Sequence, residues 1–290
     1  MPLTHYARRL LGRLPYGGLF DRLYLFVIFA YAQRRLPRRD SRLLNDYFYF
    51  LKTSPALLDI FRQITSDKLM VKDFVKSRCG GDLTLNTLAV YEHVDEIDVS
   101  ELSRPCVIKP AHSSGSVVFV ADGHSKLSEQ NRATLARSLQ KSPYTEAREA
   151  NYRFLRPRLI VEPMLPDGPD TKDYKVFCFG GVPRLIQVDS HRHTDHRRNL
   201  YSAGWDRIME EYNYPAGAWE DAPKSLDAMM EAARALSADF EFVRVDFFVS
   251  GERFFVGELT HCPESAHGRF RSREGEKRVS DILFRDGAPQ

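Results

Sequence analysis

Apolar positions first recur at helical spacing and later alternate. Leu43, Leu44, Tyr47, Phe48 and Leu51 form one stripe, Pro55 interrupts it, and Leu57, Leu58 and Phe61 resume it. That spacing predicts amphipathic helices on either side of the proline. A further stripe, Met70, Phe74 and Val75, predicts a helix that Ser66 or Asp67 caps and Gly80-Gly81 ends. Lys68 and Lys72, four apart, share one side of it. From residue 83 the pattern changes. Residues 83–91 read as a strand, 94–102 as an acidic short helix or loop, and 105–123 as strand, small polar loop and strand. Ser128 opens a helix reaching about residue 141, and residues 158–164 form a strand that ends in turn residues. Residues 174–179 and 184–188 predict a hairpin around Gly180-Gly181-Val182-Pro183. The stretch 189–202, DSHRHTDHRRNLYS, has no periodicity and reads as a polar loop. Ser225 caps a helix with Leu226, Met229, Met230, Ala233 and Leu236 on one stripe. Helices followed by hairpins with intervening helices predict an α+β fold with largely antiparallel sheets.

The stretch 242–264, FVRVDFFVSGERFFVGELTHCPE, organises the rest. Its two Val- and Phe-rich runs flank Ser250-Gly251-Glu252, a hairpin signal. Side chains alternate along a strand, so Arg244, Asp246 and Phe248 share one face, and Val256, Glu258 and Thr260 share another. A three-residue loop sets Asp246 against Val256 and puts Glu258 on the diagonal, with the carboxylates roughly 7 Å apart. A hard cation with a triphosphate could bridge that span, beside Arg244. A two-residue turn would send the carboxylates to opposite faces.

Composition adds bounds. The 290 residues are 43% hydrophobic and 28% charged, which fits a globular chain of one or two domains. Cys79, Cys106, Cys178 and Cys262 form no CxxC pair and no disulfide framework, which points to a reducing cytosol. The net charge of +3 is uneven: residues 1–42 hold nine arginines against Asp21 and Asp40, net +7, so the remainder carries −4. Between those arginines lies LYLFVIFAYA, ten apolar residues, too short to span a bilayer. It reads either as a segment resting on anionic lipid at the inner face of the membrane or as a terminal helix packed on the body. Basic charge confined to one end argues against a nucleic-acid partner. His191, His193 and His196 beside Asp189 and Asp195 match no zinc spacing.

The segments DKLMVKDFV, VIKPAHSSGSVV, RLIVEPML, DYKVFCFGG, IQVDS, HRRNLY, FVRVDFFV and GELTHCP, in that order over residues 43–270, resemble the TupA-like (teichuronopeptide biosynthesis) family of the ATP-grasp superfamily. The resemblance implies two α+β subdomains clasping ATP. Past the basic, apolar helical extension at 1–42, it implies an N-terminal subdomain at 43–105, a nucleotide-covering subdomain at 106–165 and a metal- and substrate-binding subdomain at 166–290. By the same resemblance, Lys68 and Lys109 hold the α- and β-phosphates. His112, Ser113, Ser114, Gly115 and Ser116 form the flexible phosphate cover. Glu162, Pro163, Met164 and Leu165 form the adenine hinge, with Asp167 or Asp170 at the ribose. Lys175, beside Asp173, points toward the γ-phosphate. Asp246 and Glu258 hold Mg²⁺, and Arg244 steadies transition-state charge. Two positions depart from the family pattern: Thr260 stands at the third ligand's place, and Glu264 where relatives tend to have Gly. Arg192, His196, Arg198, Asn199 and Glu264 are the expected substrate contacts.

The implied activity is an ATP-dependent carboxylate–amine ligase acting through an acyl phosphate, with ATP and Mg²⁺ as cofactors. Its substrates would be a small molecule or glycan carrying a carboxylate, such as a uronic acid, and an amine, in bacterial surface-polysaccharide biosynthesis. Two alternatives stand beside it: a kinase that leaves phosphate on the acceptor, and a non-catalytic nucleotide-binding subunit of a polysaccharide-assembly complex.

Overall fold

The computed structural model describes residues 11–123, 126–192 and 194–285. Two antiparallel sheets carry the architecture. The smaller contains β1 (Ala89–Tyr91), β2 (Cys106–Pro110), β3 (Val118–Val120) and β4 (Leu159–Pro163), in the order β1-β4-β2-β3. The larger contains β5 (Asp173–Phe179), β6 (Val182–Ser190), β7 (Arg197–Ser202), β8 (Arg207–Ile208), β9 (Phe242–Ser250) and β10 (Arg253–Thr260). Its order is β10-β9-β5-β6-β7-β8. Because β1 pairs with β4, the small sheet draws on both sides of the expected boundary at 105/106.

Period-two alternation sorts the large sheet into two faces. Tyr174, Val176, Ile186, Val188, Val243, Val245 and Phe247 form an apolar face. It packs on α4 (Val71–Cys79) and α7 (Leu226–Ser237), through Phe74, Val75, Met229 and Ala233. The other face changes character along its length. Phe177, Leu185, Leu200 and Phe242 pack against α1 (Gly18–Gln33), α2 (Leu44–Thr53) and α8 (Arg273–Leu283). Two residues further along the same strands stand Lys175, Gln187, Arg198 and Arg244, all buried. The functional face is thus the polar continuation of a core.

In the small sheet, Cys106, Ile108, Leu159 and Val161 point to a core closed by Leu135 of α5 (Glu129–Leu139) and by Val94, Ile97 and Val99. The opposite face carries Lys109 and Glu162. Asp67 Oδ1 accepts from the amides of Leu69 and Met70, so Asp67 rather than Ser66 organises the turn into α4. Gly80 ends α4 at φ 67°. Ser225 precedes α7 without a side-chain cap, its hydroxyl lying 3.5 Å from Met229 Sδ instead.

Two expectations are corrected here. Only Ala89–Tyr91 of the expected 83–91 strand pairs. The 189–202 stretch is not a loop: β6 runs on to Ser190 and β7 begins at Arg197. Asp189, Arg198 and Asn199 are buried by pairing, which hides the alternation, while His191, Arg192, Thr194 and Asp195 stay exposed. The segment LYLFVIFAYA is a packed helix, with Tyr24, Leu25, Ile28 and Phe29 in the core. Its outer face keeps Leu19, Phe20, Leu23 and Phe26 exposed.

α1 is lashed to the segment that follows α5. Arg148, buried and at φ 57°, donates to Asp21 Oδ1 at 2.6 Å, to the Leu14 carbonyl at 2.8 Å and to the Pro15 carbonyl at 3.1 Å. Tyr144 Oη donates to Asp21 Oδ2 at 2.9 Å, and Tyr24 Oη to the Glu146 carbonyl at 2.9 Å.

Candidate active site

The β9–β10 turn has two residues, Gly251 and Glu252, since Ser250 pairs with Arg253. That register alone would place Asp246 and Glu258 on opposite faces. A β-bulge between Val256 and Glu258 restores them: Gly257 is the extra residue, and Asp246 pairs directly with Glu258. Val256 and Leu259 still reach the apolar core. A Cβ at Gly257 would lie 2.6 Å from the Phe248 ring, so the bulge requires glycine.

Around this pair the cations converge. Arg244 donates to Asp246 Oδ1 and Oδ2 at 2.6 Å each and to Thr260 Oγ1 at 3.1 Å, and lies 4.0 Å from Glu258. Lys175 donates to Asp246 at 2.6 Å and to Asp173 at 2.8 Å. Lys68 pairs with Glu258 at 2.8 Å and donates to the Ser113 carbonyl at 2.7 Å. Burial alone would raise the Glu258 carboxyl, but Lys68, Lys175 and Arg244 hold it well below the usual carboxylate range. Burial keeps Asp246 above its ordinary value against the pull of Arg244 and Lys175. Of the two, Glu258 is the more firmly ionised.

Two cavities meet here. One, of about 370 Å³, is lined by Val107, Phe119, Met164, Leu165 and Phe248, with Lys109 and Glu162 at its edge. Its apolar walls suit a planar base. Lys109 pairs with Glu162 at 2.5 Å, and Lys72 holds the other Glu162 oxygen at 2.6 Å. In the segment expected as the adenine hinge, Glu162 is committed to these lysines, Pro163 has no N–H, and the Met164 N–H donates to the Pro105 carbonyl at 3.0 Å. Asp167 and Asp170 are exposed and are not among the lining residues; Gly168 and Thr171 are.

The second cavity, about 750 Å³, opens from Lys175, Arg244, Glu258 and Thr260 to Arg198, Glu264 and Arg269. Tyr24, Ile28 and Tyr31 of α1 form part of its wall. Ser114 touches this cavity and Gly115, at φ 87°, the first, so the small polar loop sits at their junction. Ser113, Ser114, Gly115 and Ser116 also border a smaller hollow of about 300 Å³ beside Arg137 and Lys141.

Several expected residues have partners within the protein. His112 is buried, its Nε2 3.1 Å from the Lys141 carbonyl and its Nδ1 accepting from Arg158 N at 3.4 Å. It is a neutral structural histidine, its pKa lowered by burial. Asn199 donates to the Ala218 carbonyl at 2.7 Å and accepts from Gly217 N at 3.0 Å, which holds a neighbouring segment. Arg198 spans Asp189, at 2.6 and 3.0 Å, and Glu264, at 2.9 Å, at the cavity wall. Arg192 pairs with Asp173 and borders both cavities. His196 stacks on Tyr214 at 3.6 Å and borders the first cavity. His193 lies outside the described residues. Thr260 Oγ1 already accepts from Arg244, which disfavours it as a direct metal donor.

Sequence reasoning missed Glu149, Tyr214, Arg269 and the α1 wall. No local pattern marks them, because each is brought in by distant packing. Phe248 was legible as a same-face neighbour of Asp246.

A nucleotide and Mg²⁺ fit this arrangement. Among the described residues no group of three His, Cys, Asp or Glu side chains is placed to hold a metal. The two-carboxylate donor set of Asp246 and Glu258 suits Mg²⁺, which completes its shell with water and phosphate oxygens.

Comparison with solved structures finds a likeness to the L-amino acid ligase from Bacillus licheniformis, 15% identical, covering 88% of this chain and 53% of that one, TM-score 0.40. The D-alanine–D-alanine ligase from Bacillus anthracis complexed with ATP is 14% identical, with 77% and 65% coverage and TM-score 0.43. The N5-carboxyaminoimidazole ribonucleotide synthetase from Thermus thermophilus is 14% identical, with 69% and 46% coverage and TM-score 0.36. The chain spans about half to two thirds of the length of these proteins. No curated protein matches it. The model of the TupA-like ATP-grasp family matches residues 59–283. That span runs from α3 (Ile60–Ser66) to α8 and takes in both sheets and the whole cation and carboxylate cluster, and the chain belongs to the TupA-like ATP-grasp family.

Proposed function

We propose that this protein is an ATP-dependent ligase that joins a carboxylate to an amine through an acyl phosphate. The observation that carries this reading is the position of the Asp246–Glu258 pair, with Lys68, Lys175 and Arg244, at the meeting of a base-sized cavity and a larger polar one. In this reading the base lies against Phe248, Val107 and Met164. Lys109 and Lys68 turn from their glutamates toward the phosphates, under the 113–116 loop. Asp246 and Glu258 hold Mg²⁺, which when bound neutralises phosphate charge and orients the γ-phosphoryl group. Lys175 and Arg244, released from Asp246, face the oxygens that gain charge as the carboxylate attacks. Arg244 then faces the tetrahedral oxyanion formed when the amine attacks the acyl carbon.

The second cavity is the acceptor site in this account. Its size and its arginines, Arg192, Arg198 and Arg269, suit an acidic sugar such as a uronic acid, consistent with a role in bacterial surface polysaccharide. The exposed Leu19, Phe20, Leu23 and Phe26, with Arg13 and Arg22 nearby in sequence, suit peripheral contact with an anionic membrane from the cytoplasmic side. The direct test is a screen of uronic acids and amino acids as carboxylates against amines, following ADP, phosphate and product mass. The expected product is an amide with ADP and phosphate in equal amounts. A stable sugar phosphate would favour a kinase, and no ATP turnover with any pair a binding subunit.

A further inference from the structure

We propose that Glu149, linked through Ser265 to Lys52, accepts the proton of the attacking amine in the acceptor cavity. This rests on the ligase reading above. An amine reaches the site as an ammonium and must lose a proton before its lone pair can attack.

The cavity offers several carboxylates, and most are committed. Asp189 is gripped by both Arg198 nitrogens, Glu264 by Arg198, and Glu258 by Lys68. Glu146 pairs with Lys141 at 3.0 Å and is exposed. Glu149 differs. It is buried and lines the cavity beside Ser265, whose hydroxyl favours its ionised form. Lys52 donates to the Ser265 hydroxyl oxygen and, at 3.3 Å, to its carbonyl. Lys52 thereby leaves the Ser265 O–H to point at Glu149. Glu149 shares the lining of this cavity with Arg244 and Glu258, and after burial the charge of Lys52 acts on its carboxyl most, ahead of Arg244 and Glu258.

Ser265 and the residue before Glu149 are held in unusual backbone. Glu264, Ser265 and Ala266 are consecutive left-handed residues at φ 51°, 57° and 63°. That conformation is costly for residues with a Cβ and persists where the surroundings impose it. Arg148, the residue before Glu149, is also left-handed and is fixed by Asp21 and the 14–15 carbonyls. The N-terminal helix therefore positions Glu149, although it lies outside the residues that match the family model. Burial raises the Glu149 carboxyl, which favours it as a proton acceptor.

In the proposed step the ammonium gives one proton to Glu149, and the freed lone pair forms the C–N bond at the acyl phosphate carbon. The C–O bond to phosphate then breaks, phosphate leaves with the second amine proton, and Glu149 releases its proton to water.

The test uses full-length protein and the panel of uronic acids and amino acids, each with ATP and either an amino-acid amine or hydroxylamine. Hydroxylamine is largely neutral near pH 7 and traps the acyl phosphate as a hydroxamate without a base. In Glu149→Gln, amide formation is expected to fall about 10²-fold or more, the scale of general-base loss, while hydroxamate formation falls far less. Ser265→Ala, which breaks the relay at one hydroxyl, should show the same split more weakly and stands in if Glu149→Gln fails to fold. Equal loss of both products, or loss of neither, overturns the role of Glu149 and leaves the ligase reading intact. Absence of hydroxamate from the wild-type protein with every acid overturns the ligase reading and this inference with it.

Discussion

Asp246 and Glu258 do different work although they sit side by side. Asp246 is committed to Arg244 and Lys175, Glu258 to Lys68, so the cluster neutralises itself, and the proposed function has it exchange partners on ATP binding. Asp246→Asn and Glu258→Gln are each expected to lower turnover about 10²-fold or more, the scale of losing one preorganised electrostatic group, with the melting transition retained. Near-wild-type turnover of both at limiting Mg²⁺ would rule out the hairpin as the metal site. Glu258 also links the site to acid stability. Its folded pKa lies below the unfolded value, so its contribution is full above about pH 4.3 and is lost as pH falls through the folded value. Removing a cation should bring the folded value closer to the unfolded one. Denaturant midpoints of Lys68→Ala measured from neutral to acid pH should therefore fall by less than those of wild type, the fall beginning near the same pH because the unfolded value sets it. Identical profiles would contradict the pairing. These charged residues were legible because a strand's alternation assigns their face. Thr260 and His112 were not, because their competing partners, Arg244, Lys141 and Arg158, come from elsewhere in the chain.

The β9–β10 hairpin shows how a local irregularity decides chemistry. Alternation alone, with the three-residue loop it suggested, put the carboxylates on one face for the wrong reason. The observed turn is one residue shorter, and Gly257 compensates. A glycine inside a strand is itself a bulge signal, and that signal was available. Inserting one alanine between Gly257 and Glu258 would set Glu258 against Val245, turn it away from Asp246 and abolish Mg²⁺-dependent ATP turnover. Gly257→Ala would displace Phe248, which lines the base cavity, and weaken ATP binding. Unchanged ATP affinity and turnover in both variants would show the bulge to be incidental. The β6–β7 region was illegible for another reason. Arg198 and Asn199 are strand residues buried by Asp189, Ala218 and Gly217, so hydrophobicity could not reveal the strand.

At the scale of the molecule, the antiparallel α+β architecture followed from the order of helical and alternating segments. The placement of the N-terminal helix did not. Its composition fits a membrane surface and a packed core equally well, and the structure uses one side for packing while leaving the other exposed. Removing residues 1–33 would uncover Phe48, Tyr49 and Leu51 and release Arg148. The expected result is a lower melting temperature and loss of acceptor-dependent turnover, measured by calorimetry and product assay. A truncated protein with both unchanged would show that the helix is dispensable to the acceptor cavity.

The central claim is that the paired carboxylates and the surrounding lysines receive ATP together with Mg²⁺. Calorimetric titration of ATP into the full-length protein, with and without Mg²⁺, tests it without knowledge of the acceptor. Mg²⁺ added alone should bind weakly, because Arg244, Lys175 and Lys68 already occupy its donors. With Mg²⁺ present, ATP should bind at least about tenfold more tightly, a gain of about 1.4 kcal/mol, and Glu258→Gln should remove that gain. ATP affinity that is indifferent to Mg²⁺, or the same Mg²⁺ gain in Glu258→Gln, would contradict the account.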